Sequence, residues 1–162
     1  MNLERRRAQE TSPSEAANGK RLELIAAAEW YRLQLGWPVA FDASHCRLVM
    51  RTGETVDAIT MPDWLASSVA LHLEQGLLAG PISIDTTRTW WTILSAPCGG
   101  SHADISPELR SCRVHVVPHG GQVVLPHPHD TRHWRRPPNA GTPLPPWKAV
   151  ITATNRSVQQ LR

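Results

Sequence analysis

The sequence predicts an α+β domain in which a small mixed or antiparallel sheet of about five to seven strands packs against three helices. Apolar residues recur every three or four positions in separate stretches, and short β-branched runs bounded by turn residues lie between them. The chain has 162 residues, of which 41% are hydrophobic and 19% charged. This composition suits one globular core and excludes wholesale disorder and collagen-like or coiled-coil architectures.

The first helix is expected over residues 20–35, where apolar residues such as Tyr31 fall on one stripe before Gly36 stops the helix. The polar residues 1–18 offer nothing to bury and are expected to form a flexible tail. The single domain would then span residues 19–162.

Two further helices are expected, near residues 61–78 and 147–160. Thr60 is the expected N-cap of the first of these, with Asp63 in the place of a capping-box acid. The last helix is amphipathic by its spacing. Its apolar stripe comprises Trp147, Val150, Ile151, Thr154, Val158 and Leu161.

The β-type runs are expected to form two pairs, with two further strand-like runs between them. The first pair reads as a hairpin around Thr52 and Gly53, and the second flanks a tight turn at His119-Gly120-Gly121. The two runs between the pairs are separated by Thr86, Thr87 and Arg88. The paired runs are 46–50 with 55–59 and 113–117 with 122–125, and the two between them are 82–85 and 89–94.

The stretch 126–146 is rich in proline, which disfavours regular structure. It is expected to form either an irregular strap over the core or a linker, and the bulky Trp134 and Trp147 favour the strap.

The sequence gives no sign of export or membrane insertion. No apolar run follows the arginines near the N-terminus, and no stretch approaches the roughly twenty apolar residues that cross a bilayer. The three cysteines lack C-x-x-C spacing, so they indicate neither a disulfide framework nor a thiol-rich zinc site. A soluble cytoplasmic protein with no membrane partner is expected.

Charge is unevenly distributed along the chain. Residues 1–109 carry nine basic and thirteen acidic side chains, whereas residues 110–162 carry eight basic and one acidic. Basic side chains can neutralise phosphates, and an indole beside them can stack on a base, although most charge-rich stretches are simply solvated. The candidate nucleic-acid contacts are Arg110, Arg113, Arg132, Trp134, Arg135 and Arg136.

Two further groups suggest chemistry only weakly. Cys98 precedes two glycines with His102 nearby, a pattern that fits a turn-filling thiol better than an activated one. Five histidines lie close in sequence without a helical H-x-x-x-H face, so solvated loop histidines are favoured and no metal or cofactor is expected. These histidines are His115, His119, His127, His129 and His133.

Four segments, taken in chain order, resemble the N-terminal domain of the bifunctional DNA primase/polymerase family. Segment 26–39 (AAAEWYRLQLGWPV) is similar to its opening helix, and 114–126 (VHVVPHGGQVVLP) to its closing strand and Gly-Gly turn. Segment 80–85 (GPISID) stands in the place of the strand that ends at the family's metal-binding acids, and 99–102 (GGSH) is similar to the turn that carries a nucleotide-binding histidine. The resemblance covers most of residues 22–161 and is greatest to short members of the family from high-GC actinobacteria.

The resemblance implies that Asp85 corresponds to the first metal-binding acid and His102 to the nucleotide-contacting histidine. The second acid is replaced by Thr87 and the third by His115. One acid of three supplies too little negative charge for two Mg²⁺ ions, so no polymerase activity is expected.

Two hypotheses of different classes therefore stand. In the first, the chain is a catalytically degenerate primase/polymerase-like module that still contacts a nucleotide or single-stranded nucleic acid. In the second, it is an interaction or scaffold module that contacts another protein through the strap 126–146 and has no nucleic-acid role. An active nucleotidyltransferase is a third, outside hypothesis.

Overall fold

The fold is α+β, as predicted, and is described for residues 12–100 and 105–161 by a computed structural model. None of the helices in this described part combines the length and hydrophobicity that crossing a bilayer requires. Gly36 ends the first helix in the left-handed conformation, with φ of 67°. The helices are α1 (Pro13–Leu35), α2 (Asp63–Gln75), α3 (Pro107–Ser111) and α4 (Trp147–Gln159).

Helix α1 begins seven residues earlier than predicted. Pro13 occupies its first turn, where a missing N–H costs nothing, and the Glu15 carboxylate accepts the Ser12 N–H at 3.1 Å. Residues 13–18 of the expected tail are therefore helical, and residues 1–11 lie outside the described part of the chain.

The predicted cap of α2 is wrong. Thr60 is extended within a strand, and its hydroxyl pairs with that of Thr92 at 3.2 Å. The helix begins only at Asp63, whose carboxylate accepts the N–H of Trp64 at 2.8 Å. Strand pairing on both sides of Thr60 overrides its local preference for a cap.

In the described part of the chain, eight antiparallel strands form two sheets rather than one. A three-stranded sheet has the order β1-β2-β7, and a five-stranded central sheet has the order β6-β3-β5-β4-β8. The strands are β1 (Val39–Asp42), β2 (Arg47–Arg51), β3 (Asp57–Pro62), β4 (Ile82–Ile84), β5 (Trp90–Ser95), β6 (His115–Val116), β7 (Gln122–Leu125) and β8 (Trp134–Arg136).

The strand-like runs 82–85 and 89–94 are confirmed as β4 and β5, which pair with each other. The two predicted pairs are wrong because β2 and β3 belong to different sheets, as do β6 and β7. Both connecting segments cross between the sheets and bond to each other, mostly through Thr52, which is buried. Its N–H donates to the Gly121 carbonyl at 3.0 Å, its hydroxyl to the Pro118 carbonyl at 2.8 Å, and its own carbonyl accepts the Gly120 N–H.

The proline-rich strap is partly regular, which corrects the expectation that proline prevents regular structure there. Strand β8 pairs with β4 at the edge of the central sheet, with a register shift at Ile82 and Ser83. Trp134, at the start of β8, is only 5% exposed. The strap is therefore an integral part of the fold.

The central sheet separates two hydrophobic cores. Helices α2 and α4 cover one face, where Leu65, Val69 and Val150 pack on Ile93 of β5. The three-stranded sheet and α1 cover the other face, where Leu94 meets a second core that includes Tyr31. Successive residues of one strand thus serve opposite cores, as the pleat requires.

Candidate functional site

A groove of about 540 Å³ lies between the central sheet and the three-stranded sheet. We call it the interlayer groove. Its floor is formed by Thr60, Ser83 and Thr92, which share one face of the central sheet because they stand opposite one another in the strand register. Three hydroxyl groups therefore line a surface that can exchange hydrogen bonds with a polar ligand.

The opposite wall of the groove is strand β7. Gln122, Val123, Val124 and Leu125 all line it. Strand β7 is at one end of the β1-β2-β7 order, so its outer edge is not paired with another strand in the described part of the chain. Such an edge offers backbone N–H and C=O groups to a ligand, while the side chains provide apolar contact.

Asp85 lines the end of the groove, immediately after β4. One carboxylate oxygen accepts the N–H groups of Thr89 and Trp90, each at 3.0 Å. The other accepts the hydroxyl and, at 3.3 Å, the N–H of Thr87. Partial burial raises the pKa of Asp85, but these hydrogen bonds outweigh it and bring the pKa below its usual value. Both oxygens are thus engaged in tying the β4–β5 turn.

A histidine–carboxylate pair stands at the same groove. His133 lines it, and its Nδ1 lies 2.7 Å from an oxygen of Asp130. The other oxygen of Asp130 accepts the N–H groups of Arg132 and His133. Burial raises the pKa of Asp130, but the hydrogen bonds from His133 and Arg132 lower it by more than burial raises it. The pKa of Asp130 is therefore below its usual value. The imidazole is therefore held in a fixed orientation beside the groove.

Two exposed arginines belong to the segments that enclose this end of the groove. Arg88 lies in the turn that contributes Thr86, and Arg132 precedes His133. A guanidinium nitrogen of Arg88 donates to the Arg132 carbonyl at 3.3 Å, which joins the two segments. Neither arginine forms an ion pair with a carboxylate of the described residues, so both charges can meet an anionic ligand.

The three residues singled out by the family resemblance do not form one described cluster. Asp85 is at the groove, and His102 lies outside the described residues. His115 is on β6, opposite Thr60, but its ring faces Trp90, with 5.8 Å between ring centroids.

The predicted nucleic-acid contacts are dispersed. Trp134 is buried and its indole N–H donates to the His127 carbonyl at 3.2 Å, so the prediction that it stacks on a base is wrong for this fold. Arg135 lies over the Trp91 ring at 5.9 Å, and Arg136 pairs with Glu74 at 2.5 Å.

The remaining predicted arginines lie elsewhere. Arg110 and Arg113 are at the end of α3, and Arg132 alone is near the interlayer groove. Bends and crossovers in the chain, which local sequence does not reveal, separate these charges.

The other predicted groups are equally spread out. The His127 and His129 rings are 5.6 Å apart, while His119 lies against Gly53, at the crossing between the two sheets. Within residues 12–100 and 105–161, no group of three or more metal-ligating side chains is suitably placed. Cys98 is half-buried, and its N–H donates to the buried carboxylate of Asp57 at 2.7 Å.

Sequence reasoning did not assign Arg88, Thr60 or Thr92 to a binding site. Arg88 sits in a polar turn between two strands, where a cation is unremarkable by composition. The threonines are typical strand residues, and only the register of β3 on β5 brings their hydroxyls together. Polar residues on the alternate positions of a buried strand are the one signal that could have pointed to them.

Comparisons of this chain with protein-family models, with curated proteins and with solved structures found no match. The functional argument therefore rests on the groove and its residues, together with the resemblance seen in the sequence.

Proposed function

We propose that this chain is a catalytically degenerate primase/polymerase-like module that binds a nucleotide in the interlayer groove without transferring it. The volume of about 540 Å³ lies in the range of small-molecule sites. Asp85 follows β4 at the end of the groove, which is the position where the family resemblance places the first metal-binding acid.

The hydrogen bonding of Asp85 is the observation that carries this proposal. It is the only carboxylate that lines the groove among the described residues, and both its oxygens accept hydrogen bonds from the β4–β5 turn. A pair of divalent ions needs several carboxylate oxygens to balance its charge. The groove therefore suits ligand binding better than two-metal catalysis.

The chemistry of the groove suits the three parts of a nucleotide. The apolar side chains and open edge of β7 can contact the base by its face and by its hydrogen-bonding edge. The hydroxyls of Thr60, Ser83 and Thr92 can bond the sugar. Arg88 and Arg132 supply two cations for the phosphates.

Protein binding through the strap is the less favoured alternative. Trp134 packs into the second core, and Trp147 packs against the first. The Ala96 N–H donates to the Pro145 carbonyl at 2.9 Å, which ties the strap to the central sheet. With its large aromatic side chains directed inward, the strap lacks the anchors that usually dominate a protein interface.

The test is fluorescence anisotropy of a labelled adenosine triphosphate, titrated with protein at several salt concentrations. We expect binding that weakens as salt rises, and a dissociation constant about tenfold higher or more in the Arg88→Ala, Arg132→Ala double variant, since charge-assisted hydrogen bonds are lost. Arg156→Ala is the matched control, because this exposed arginine lies on α4, on the opposite face of the central sheet.

Two binding outcomes contradict the proposal. Absence of binding by the wild-type protein at low salt removes the nucleotide site, and equal weakening by the double variant and the Arg156→Ala control removes its placement in the groove. Primer extension with Mg²⁺ or Mn²⁺ completes the test. We expect no product, and product that disappears in Asp85→Ala would show an active polymerase instead.

A further inference from the structure

A second cavity, of about 330 Å³, is lined by Thr89 and Trp90, at the end of the β4–β5 turn. We call it the aromatic cleft and define it by Trp64, Trp90 and Arg113. Strand pairing of Pro62 with Trp90 and a hydrogen bond from the Asp63 N–H to the Thr89 carbonyl, at 2.9 Å, bring its walls together. The cleft is therefore built by the end of β3 and the start of α2, against the start of β5.

The two indoles of the cleft have surface left for a ligand. Trp64, in the first turn of α2, is 50% exposed. Trp90 is half-buried, and the His115 ring lies against it at 5.8 Å with an angle of 37° between the planes. Large aromatic side chains usually bury most of their surface in a core or an interface, so an exposed indole beside a cavity indicates a contact site.

Arg113 brings a cation to the cleft at a position where glycine is the usual residue. It follows α3 with φ of 60°, and its N–H donates to the Arg110 carbonyl at 2.9 Å. The Val114 N–H closes the turn on the Leu109 carbonyl at 3.0 Å, as in a Schellman motif. A side chain at this backbone angle is strained, so the fold itself would favour glycine. The guanidinium is the group that glycine would lack.

The described residues that line the cleft bring one cation and one carboxylate to it, those of Arg113 and Asp63. The Asp63 carboxylate accepts the N–H of Trp64 at 2.8 Å and so serves the start of α2. The Arg113 guanidinium can therefore meet an anionic group of a ligand.

We propose that the aromatic cleft binds one base of a single-stranded nucleic acid, stacked on Trp64 and Trp90, with Arg113 on the adjacent phosphate. Stacking on indoles beside a cation is the general way in which proteins hold unpaired bases without sequence preference. A proline-rich peptide also packs on exposed indoles, but the Arg113 guanidinium favours a ligand that carries phosphate. The inference goes beyond the nucleotide proposal and does not depend on it, since the two cavities share no lining residue.

The first test is the anisotropy of a fluorescein-labelled oligothymidylate of about 16 nucleotides, a length that spans a typical single-strand site. We expect Trp64→Ala to weaken binding by about five- to one-hundredfold, the range for one lost stacking contact. Leu71→Ala is the matched control, because Leu71 lies two turns further along α2, is 53% exposed, and does not line the cleft. Equal binding by the Trp64→Ala and Leu71→Ala variants would overturn the proposal.

The second test uses Arg113→Gly, which separates binding from folding. Glycine relieves the left-handed backbone, so we expect an equal or higher melting temperature together with weaker oligonucleotide binding and a salt slope smaller by about one. Arg113→Lys should keep most of the binding. A salt slope unchanged in Arg113→Gly would contradict the phosphate contact.

The two proposals fail separately. Loss of labelled adenosine triphosphate binding with oligothymidylate binding intact would remove only the nucleotide site, and the reverse would remove only the cleft. A proline-rich peptide that binds in a Trp64-dependent way, while oligothymidylate does not bind, would overturn the nucleic-acid assignment in favour of a protein partner.

Discussion

Asp85 receives hydrogen bonds from three backbone N–H groups and one hydroxyl within the five residues that follow it. A carboxylate so engaged stabilises the β4–β5 turn, which contributes lining residues to both the interlayer groove and the aromatic cleft. A residue that the family resemblance suggested as a metal-binding acid thus has a structural role, and a sequence pattern does not distinguish that role from a chemical one.

Asp85→Ala should lower the free energy of unfolding by about 1–2 kcal/mol, because several turn N–H groups lose a charged acceptor. Asp85→Asn should cost less, since its amide oxygen still accepts N–H groups. Urea denaturation measures both, and equal stability of wild type and Asp85→Ala would show that the turn does not depend on the carboxylate.

The same carboxylate makes stability depend on acid. A depressed folded-state pKa means that the stabilisation is fully present above the unfolded value of 3.8 and is lost as pH falls through the folded pKa. We therefore expect the difference in stability between wild type and Asp85→Ala to shrink as pH is lowered below about 4. A difference that stays constant down to strongly acidic pH would exclude this linkage. The Asp130 pKa, also depressed, adds an acid sensitivity that both proteins share.

Helix α1 contributes to the hydrophobic core along only part of its length. Its residues 13–23 are exposed all round, whereas Ala27, Ala28 and Tyr31 are buried in the second core. The Tyr31 ring stacks on Trp37 with 5.8 Å between centroids, and its hydroxyl donates to the Pro126 carbonyl at 2.8 Å. Burial raises the pKa of Tyr31, so the phenol stays a neutral donor. One side chain therefore joins α1 to the start of the strap.

Tyr31→Phe should destabilise the protein by about 1–2 kcal/mol, because the phenyl ring keeps the packing but leaves the Pro126 carbonyl without this donor. Urea denaturation is again the measurement. Leu33→Ala is the control on the same helix, with a 73% exposed side chain and an expected change below about 0.5 kcal/mol. A Tyr31→Phe variant as stable as Leu33→Ala would mean that the hydrogen bond adds nothing to the docking of α1.

At the scale of the whole molecule, the central sheet makes the two cores interdependent. Ile93 and Leu94 are neighbours on β5, are both fully buried, and pack in different cores. Both cores pack on the central sheet, so neither can form without it. Loss of side-chain packing on one face of the sheet therefore also destabilises the core on the other face.

Ile93→Ala and Leu94→Ala should each lower the unfolding free energy by about 2–5 kcal/mol, the usual result of deleting a buried aliphatic group. Because the cores share β5, each variant should still unfold in one transition, with coincident midpoints by far-ultraviolet circular dichroism and tryptophan fluorescence. Two separated transitions in either variant would show that the cores are independent.

Elements that depend on the local spacing of residues were predictable from the sequence. The pairing of strands that are distant in the chain was not. The periodicity of α1 and α4 and the turn between β4 and β5 lie within single segments. Helix α4 and the turn appeared close to their predicted places, and α1 ended where predicted but began seven residues earlier. The predicted hairpins at Thr52 and at Gly120 failed because the two crossing segments bond to each other across 66 to 69 residues of chain. Such long-range pairing leaves no mark on the local pattern.

The candidate sites show the same difference between features set by local sequence and features set by long-range contacts. The α+β class, the ends of most helices to within a few residues, and the shortage of acids around Asp85 could be derived from the amino-acid sequence alone. The burial of Trp134, the contact between Arg88 and Arg132, and the cleft shared by Trp64 and Trp90 became evident only in the packed fold. Periodicity reports which face of an element is apolar, whereas a binding site depends on which elements the packed cores bring together.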